Sequence, residues 1–534
     1  MEKESIYVGI DLGTTYTKAA YNSNVSQCVE TLTFSSEDQS IRSTVDFNSY
    51  PVKVATESIT NISEVKRILG VPFGDDSIVN IKSNYADILE DTDGFCYFNT
   101  TFQGRPTPVR PVEISAIILS HVKKQIIESV NFDPQRQSIK VVVTHPVFFD
   151  QKQRDLTEEA AKIADLDVIG LISEPTAAAY NYSLKNNLPN GMVFFFDFGG
   201  GTLDTAVGEK TGSHIKFCGI HGDKNLGGID IDIALLDYVM NEWKEYDENE
   251  VNNLFEVQNG DSTTIQKKKV LRRQSLKNLI ENAKIELSVK ENVTLKFTKF
   301  GSEFELTITR DILGKCCLSI FRRCEETIKE TLKKGNIRSS TIKSVVLIGG
   351  SSQIPEVKKM LRKVFPDRPL LEREDSNLVI AKGACLYARD VASQTVKNHI
   401  TQITARDVNT LMTIVDIHKH KTGNVLITLI NKGTPLPVEN VTFSVPTITP
   451  TVSVILTEDR SLIGIFETTL RFNFWDKITF KFEVEIIGKI KLVVLDKDGN
   501  QDPGQIVVDL TRNQQQETEE IEKYRRNLKK YLGF

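Results

Sequence analysis

Two stretches of the chain repeat one pattern of apolar and polar positions. Ile6 to Leu12 and Val193 to Phe198 are apolar runs, each interrupted near its end by an aspartate, Asp11 and Asp197. Each run turns through glycine and threonine, at Gly13-Thr14-Thr15-Tyr16 and at Gly199-Gly200-Gly201-Thr202. Apolar residues resume at Ala19-Ala20-Tyr21 and at Ala206-Val207. Apolar runs joined by Gly-rich turns predict β-hairpins whose tips carry Asp, Gly and Thr. A carboxylate at the end of an apolar run is costly unless it is paired or metal-bound. Two such hairpins with matched neighbours predict a duplicated domain that grips one ligand between its halves.

Between residue 1 and about 390 the pattern alternates between strand and helix. Lys140–Thr144, Asp167–Ile172 and Val345–Gly350 read as buried strands. Gln153–Ile163, Lys267–Ser288 and Pro355–Leu361 read as helices. Such alternation predicts an α/β architecture. Residues 391–409 are rich in Ser, Thr, Gln and Asn and read as a linker. Short β-rich runs then follow one another at Val425–Ile430, Val452–Leu456, Ile478–Val484 and Ile490–Leu495, which predicts a small all-β domain over 410–511. The last stretch, 512–534, places Ile521, Tyr524, Leu528 and Leu532 near helical spacing and reads as a short helical tail.

Composition narrows the picture. A chain of 534 residues exceeds what one core organises, so two or more domains are expected. The net charge of −5 argues against a general nucleic-acid binder. Seven cysteines without a C-x-x-C pair suggest free thiols in a reducing compartment, neither a disulfide framework nor a zinc site. No apolar stretch is long enough to span a bilayer, and the charged start is no signal peptide. The expectation is a cytoplasmic protein with no membrane partner.

The candidate chemistry centres on anion binding. Glycine lets backbone N–H groups approach and cradle phosphate, and the two aspartates would face a divalent metal that neutralises it. Gly349-Gly350-Ser351, between a buried strand and a helix, suits a sugar or phosphate edge, and Gly227-Gly228 behaves similarly. Glu174, in Glu174-Pro175-Thr176, could order a metal-bound or attacking water, or be a solvated carboxylate. Lys66 taken alone reads as a surface lysine. Lys267–Arg273 reads as a polyanion patch or, more simply, as the basic face of a packed helix. His418-Lys419-His420 reads as a solvated segment before it reads as a metal site. No Ser-His-Asp or Cys-His set and no G-x-x-x-x-G-K-[ST] loop is present.

Taken together, Gly9–Tyr16, Lys66–Gly70, Glu174–Ala179, Asp197–Asp204, Leu226–Asp230, Glu281–Ser288 and Leu347–Ser351 resemble the 70-kDa heat-shock protein family of molecular chaperones, in the family's order. The resemblance implies an α/β, actin-like, two-lobed ATPase domain over 1–390, followed by a β-sandwich peptide-binding-like domain. It implies that Gly13, Thr14, Thr15, Tyr16 and Gly199–Thr202 wrap the phosphates of ATP or ADP. Asp11 and Asp197 would hold Mg2+ through water, with K+ nearby. Lys66 would position the γ-phosphate or the attacking water, Glu174 would order that water, and Thr202 would complete the catalytic set. Glu281, Lys284 and Ser288 would border the adenosine, with Gly350 beneath the base. The expected partners are unfolded polypeptide, a J-domain co-chaperone and a nucleotide-exchange factor.

The sequence departs from that pattern in four places. The family's leucine-rich linker is replaced by the more polar Ile403–Val408. Gln353 stands where members usually carry arginine, and Asp375–Leu378 replaces a usual Asn-Pro-Asp-Glu. The helical lid is expected to be nearly absent. Two readings compete: a slow ATPase acting as a lidless chaperone, and a regulatory or scaffold relative associated with the ribosome or a J-domain protein. A small-molecule kinase is disfavoured by the β-rich part and by Glu174–Ala179.

Overall fold

The computed structural model describes residues 3–23, 28–35, 38–55, 62–75, 78, 88–185, 188–258, 260–372, 377–393, 395, 400–401, 408–416, 421–430, 438–446, 451–458, 461–469, 477–484, 490–495, 508–509 and 514–533. Ile403–Asp407, His418–His420 and Asp375–Ser376 lie outside the described residues.

Two six-stranded sheets follow the same path. The first contains β1 (Glu4–Leu12), β2 (Tyr16–Ser23), β3 (Glu30–Thr31), β4 (Ile41–Arg42), β5 (Gln137–His145) and β6 (Asp167–Ser173). Its order is β6-β5-β1-β2-β3, with β4 also beside β2. The second contains β7 (Gly191–Phe198), β8 (Leu203–Thr211), β9 (His214–Asp223), β10 (Ile342–Ile348), β11 (Leu370–Leu371) and β12 (Ile400–Thr401), in the order β11-β10-β7-β8-β9-β12. In both, the central strand makes an antiparallel hairpin on one side and pairs parallel to a later strand on the other. Parallel pairs need long crossovers, and the helices supply them.

Those helices are α1 (Pro111–Ser129), α2 (Gln151–Ile163), α3 (Glu174–Lys185), α4 (Gly228–Phe255), α5 (Thr263–Leu287), α6 (Arg310–Cys316), α7 (Leu318–Lys334), α8 (Pro355–Val364) and α9 (Val379–Ala392). One apolar core lies under the first sheet with α1 and α2, and a second joins the second sheet to α4, α5 and α7. A third, between them, packs α3 against α9. The alanines Ala177–Ala179 and Gly383 allow that contact: a Cβ on Gly383 would lie 1.7 Å from the Ala177 carbonyl oxygen.

On α5 the core face is Leu276, Ile280, Ala283 and Leu287, with Leu279 only partly buried. Lys269, from the basic run, is buried and donates to Asp261 at 2.9 Å and to the Glu256 carbonyl at 2.8 Å, while Lys268 is exposed. That run is therefore in part a packed helix face. Helix α4 is broken at Asp247, whose backbone is non-helical. Just before the break, the fully buried Trp243 donates to Glu250 at 2.7 Å and packs among Phe255, Phe297, Phe300 and Phe304.

Beyond β12 the chain is β-rich. Strands 408–416, 421–430, 451–458 and 461–469 form one antiparallel sheet, and 438–446, 477–484, 490–495 and 508–509 form another. The apolar runs singled out in this region are all strands. The tail is a helix, α10 (Gln514–Leu532), and it packs on α1 and α2 of the first sheet's body.

Candidate functional site

The two hairpin tips face each other across a cleft of about 990 Å³. Asp11 and Asp197 are each the penultimate residue of a central strand, on the face that carries Tyr7 in one and Val193 and Phe195 in the other, where the third core gives way to this cleft. The cleft is lined by Asp11, Gly13, Thr14, Thr15, Tyr16, Lys66, Glu174, Asp197, Gly199, Gly200, Gly201, Thr202, Glu281, Lys284, Ser288, Gly349, Gly350 and Ser351. Gly227 and Gly228 do not line it. They stand behind the second tip: the Gly228 and Ile229 N–H groups donate to the carbonyls of Gly199 and Gly200 at 3.0 and 2.9 Å. A Cβ on Gly227 would lie 2.4 Å from the Gly200 oxygen.

The tips interlock. A Cβ on Gly200 would meet Thr15 Oγ1 at 2.0 Å, and one on Gly201 would meet Thr14 Oγ1 at 2.5 Å. Threonines of the first turn therefore occupy the room that the second turn's glycines leave.

Four acids gather at the floor. Asp11, Glu174, Asp197 and Asp204 are all buried. Burial, and then the charges of Glu174, Asp204 and Asp11, push the Asp197 carboxyl well above its ordinary value. Burial and then Glu174 push Asp204 up to about 8, against the Val147 N–H that donates to it at 2.7 Å. Glu174, first residue of α3, is raised by burial, with Lys66 opposing. Lys66 Nζ donates to Glu174 Oε1 at 2.5 Å. Among the described residues, one oxygen each of Asp197 and Asp204 is buried without a hydrogen-bond partner.

Mutually repelling buried carboxylates with unsatisfied oxygens fit a divalent cation, which would relieve both penalties. Among the described residues no three His, Cys, Asp or Glu side chains converge as a ready-made metal cage. The donor set therefore fits a hard ion that keeps its waters, such as Mg2+, better than one held wholly by protein.

At the far end, Arg42 bridges Glu281 at 3.0 Å and lies over the Tyr16 ring. The Lys284 ammonium is held by Asp232 at 2.8 Å and by the Gly228 carbonyl at 3.0 Å. Ser351 Oγ donates to the Gly199 carbonyl at 2.8 Å. Asn377 and Leu378, from one of the divergent segments, also line this end.

Several residues of the site were not singled out from the sequence. Arg67 reaches across the cleft to Asp230 at 2.5 Å and to the Gly201 carbonyl at 2.9 Å. Glu64 pairs with Lys277 of α5 in the same way. Lys18 lies 3.5 Å from Asp11. Asp204 was open to discovery, because in a hairpin closed at 199–202 it falls directly opposite Asp197.

This geometry is matched by kinship. Residues 7–530 fit the family model described as Hsp70 protein. The chain belongs to the Hsp70 family. It is 28% identical over 446 residues to a ribosome-associated molecular chaperone of Zygosaccharomyces rouxii, covering 80% of this chain and 68% of that protein. It is 29% identical to the "Heat shock cognate HSP70 protein" of Trypanosoma brucei brucei, covering 71% and 56%. It is 31% identical to the "Chaperone protein DnaK" of Nitrosopumilus maritimus, covering 63% and 50%. Hsp70 proteins as a family are ATPases that bind ATP or ADP with Mg2+. No helix among the described residues is long and apolar enough to cross a membrane.

Proposed function

We propose that this Hsp70 protein binds Mg2+-ATP in the cleft, hydrolyses it slowly, and binds unfolded or extended polypeptide through its β-rich region. The observation that carries the ATPase reading is the buried Lys66–Glu174 pair beside the two glycine tips. Backbone N–H groups of 13–16 and 199–202 would hold the phosphates. Asp11 and Asp197 would hold the cation through water, with K+ as a second ion, and the cation would neutralise the phosphate charge. Lys66 orients the γ-phosphate or the attacking water, Glu174 accepts a hydrogen bond from that water, and Thr202 completes the set. Such a site works by positioning and charge neutralisation, with little covalent chemistry for the protein to do. Glu281, Lys284 and Ser288 border the adenosine and Gly350 lies beneath the base.

In this reading residues 1–390 are an actin-like two-lobed ATPase domain and 391–409 the linker. Residues 410–511 are a β-sandwich substrate domain and 512–534 a helical tail. A J-domain co-chaperone and an exchange factor are the expected partners, in the cytoplasm. The relative named as a ribosome-associated chaperone favours a second reading: a regulatory member at the ribosome, binding ATP with little coupled peptide release.

Single-turnover hydrolysis by wild type and Lys66→Ala tests the first reading, with a loss of about 100-fold expected in the variant. Nucleotide binding without any wild-type turnover would rule out the enzyme. Peptide release that ignores ATP would favour the second reading.

A further inference from the structure

Helix α10 buries Ile521, Tyr524, Leu528 and Tyr531 in the first core, the same cluster that holds Val65, Ile68 and Leu69. These positions recur at helical spacing, so one face of the helix is committed to the contact. The Tyr531 ring stands edge-on to Phe47 and Phe102, and its carbonyl accepts from the Val52 N–H at 2.9 Å.

Polar bonds fix the seam at opposite ends of two helices. Asn527 Nδ2 donates to Glu113 Oε1, in the first turn of α1, at 2.9 Å. Arg525 Nη2 donates to the Lys162 carbonyl, in the last turn of α2, at 2.9 Å. The Lys162 carbonyl already accepts from the Asp165 N–H at 2.9 Å, so Arg525 adds a second, tertiary bond at the end of α2. At the other end of α2, Gln153 is fixed by its capping exchange with Asp150, and its Nε2 donates to the Leu69 carbonyl at 3.2 Å. Helix α1 packs on the turn Val65–Arg67.

That turn is demanding. Glu64, Lys66 and Arg67 are all buried charges, and Glu64 has a left-handed backbone at φ 59°. Each reaches a different partner: Lys277, Glu174 and Asp230. A shift of the turn would strain all three pairs at once, and buried charges that lose their partners are costly.

We infer that α10 is a positioning element: its docking on α1 and α2 holds the Val65–Leu69 turn, and with it the Lys66–Glu174 and Arg67–Gly201 contacts. The inference rests on the nucleotide reading of the cleft.

The test uses full-length Leu528→Asp and Arg525→Ala. Hydrogen exchange is measured at 514–533 and 65–69 without nucleotide, and the release rate of a fluorescent ADP analogue is measured alongside. In Leu528→Asp the helix should lose protection, exchange at 65–69 should rise, and release should quicken at least about fivefold. Arg525→Ala should move the same readouts the same way, less far. A helix that loses protection while the turn and the release rate stay within about twofold overturns the inference. If wild type binds no analogue, the nucleotide reading fails, and exchange at 65–69 alone decides the positioning role. Should Leu528→Asp not fold, Arg525→Ala and Asn527→Ala carry the same comparison.

Discussion

The hairpins β1–β2 and β7–β8 share topology and register, yet they differ at the two places that matter. Opposite Asp11 stands Lys18, and opposite Asp197 stands Asp204. One tip therefore carries its own counter-charge, while the other concentrates negative charge. The tips also differ in bulk, with threonines in the first turn and glycines in the second. A duplicated frame supplies two facing turns. Divergence made them complementary, so that they close on each other and leave a net demand for positive charge between them.

Steric complementarity should be the most sensitive part. Gly201→Ala places a methyl group against a short, buried threonine, which has little room to yield. ADP affinity by calorimetry should fall about 100-fold, and Thr14→Gly in the same chain should restore much of it. Unchanged affinity in the single variant would mean that the tips do not close on the ligand.

The charge asymmetry predicts a pH effect. Burial and then the Glu174 charge push the Asp204 carboxyl of the folded protein up to about 8, from its ordinary value near 3.8. The folded state thus keeps a proton that the unfolded state releases, and stability falls as pH rises from about 4 to about 8. Asp204→Asn removes that penalty. The nucleotide-free variant should melt on the order of 2 °C higher than wild type at pH 8.5 and no higher at pH 4, while binding Mg2+-ADP less well. A gain equal at both pH values would show that the carboxyl's charge is not its cause. The smallest effect belongs to Lys18→Gln. Removing the first tip's counter-charge should tighten the Mg2+ dependence of ADP binding by only about threefold, since a partly solvated pair contributes little.

The hairpins were legible because an aspartate in an apolar run, a glycine turn and resumed apolar alternation are all local. Lys66 was legible only through resemblance and Glu174 read equally as a water-ordering or a solvated carboxylate, since nothing in either segment says that the two side chains meet 108 positions apart. Arg67 was missed for the same reason: its partners, Gly201 and Asp230, belong to the other sheet's half of the molecule. The tail's amphipathic spacing foretold a helix. Its seat on α1 and α2 was not readable, because an apolar stripe states that it must be covered and not by what.

The aromatic nest around Trp243 has a practical consequence. The sequence holds two tryptophans, and among the described residues Trp243 is the only one. An indole fully enclosed by phenylalanines emits at short wavelength and reddens when water reaches it. In a Trp475→Phe background its emission is thus an optical probe of the second core. Paired with a probe in the first core, such as exchange in α10, it can show whether the two halves of the molecule melt together or in turn.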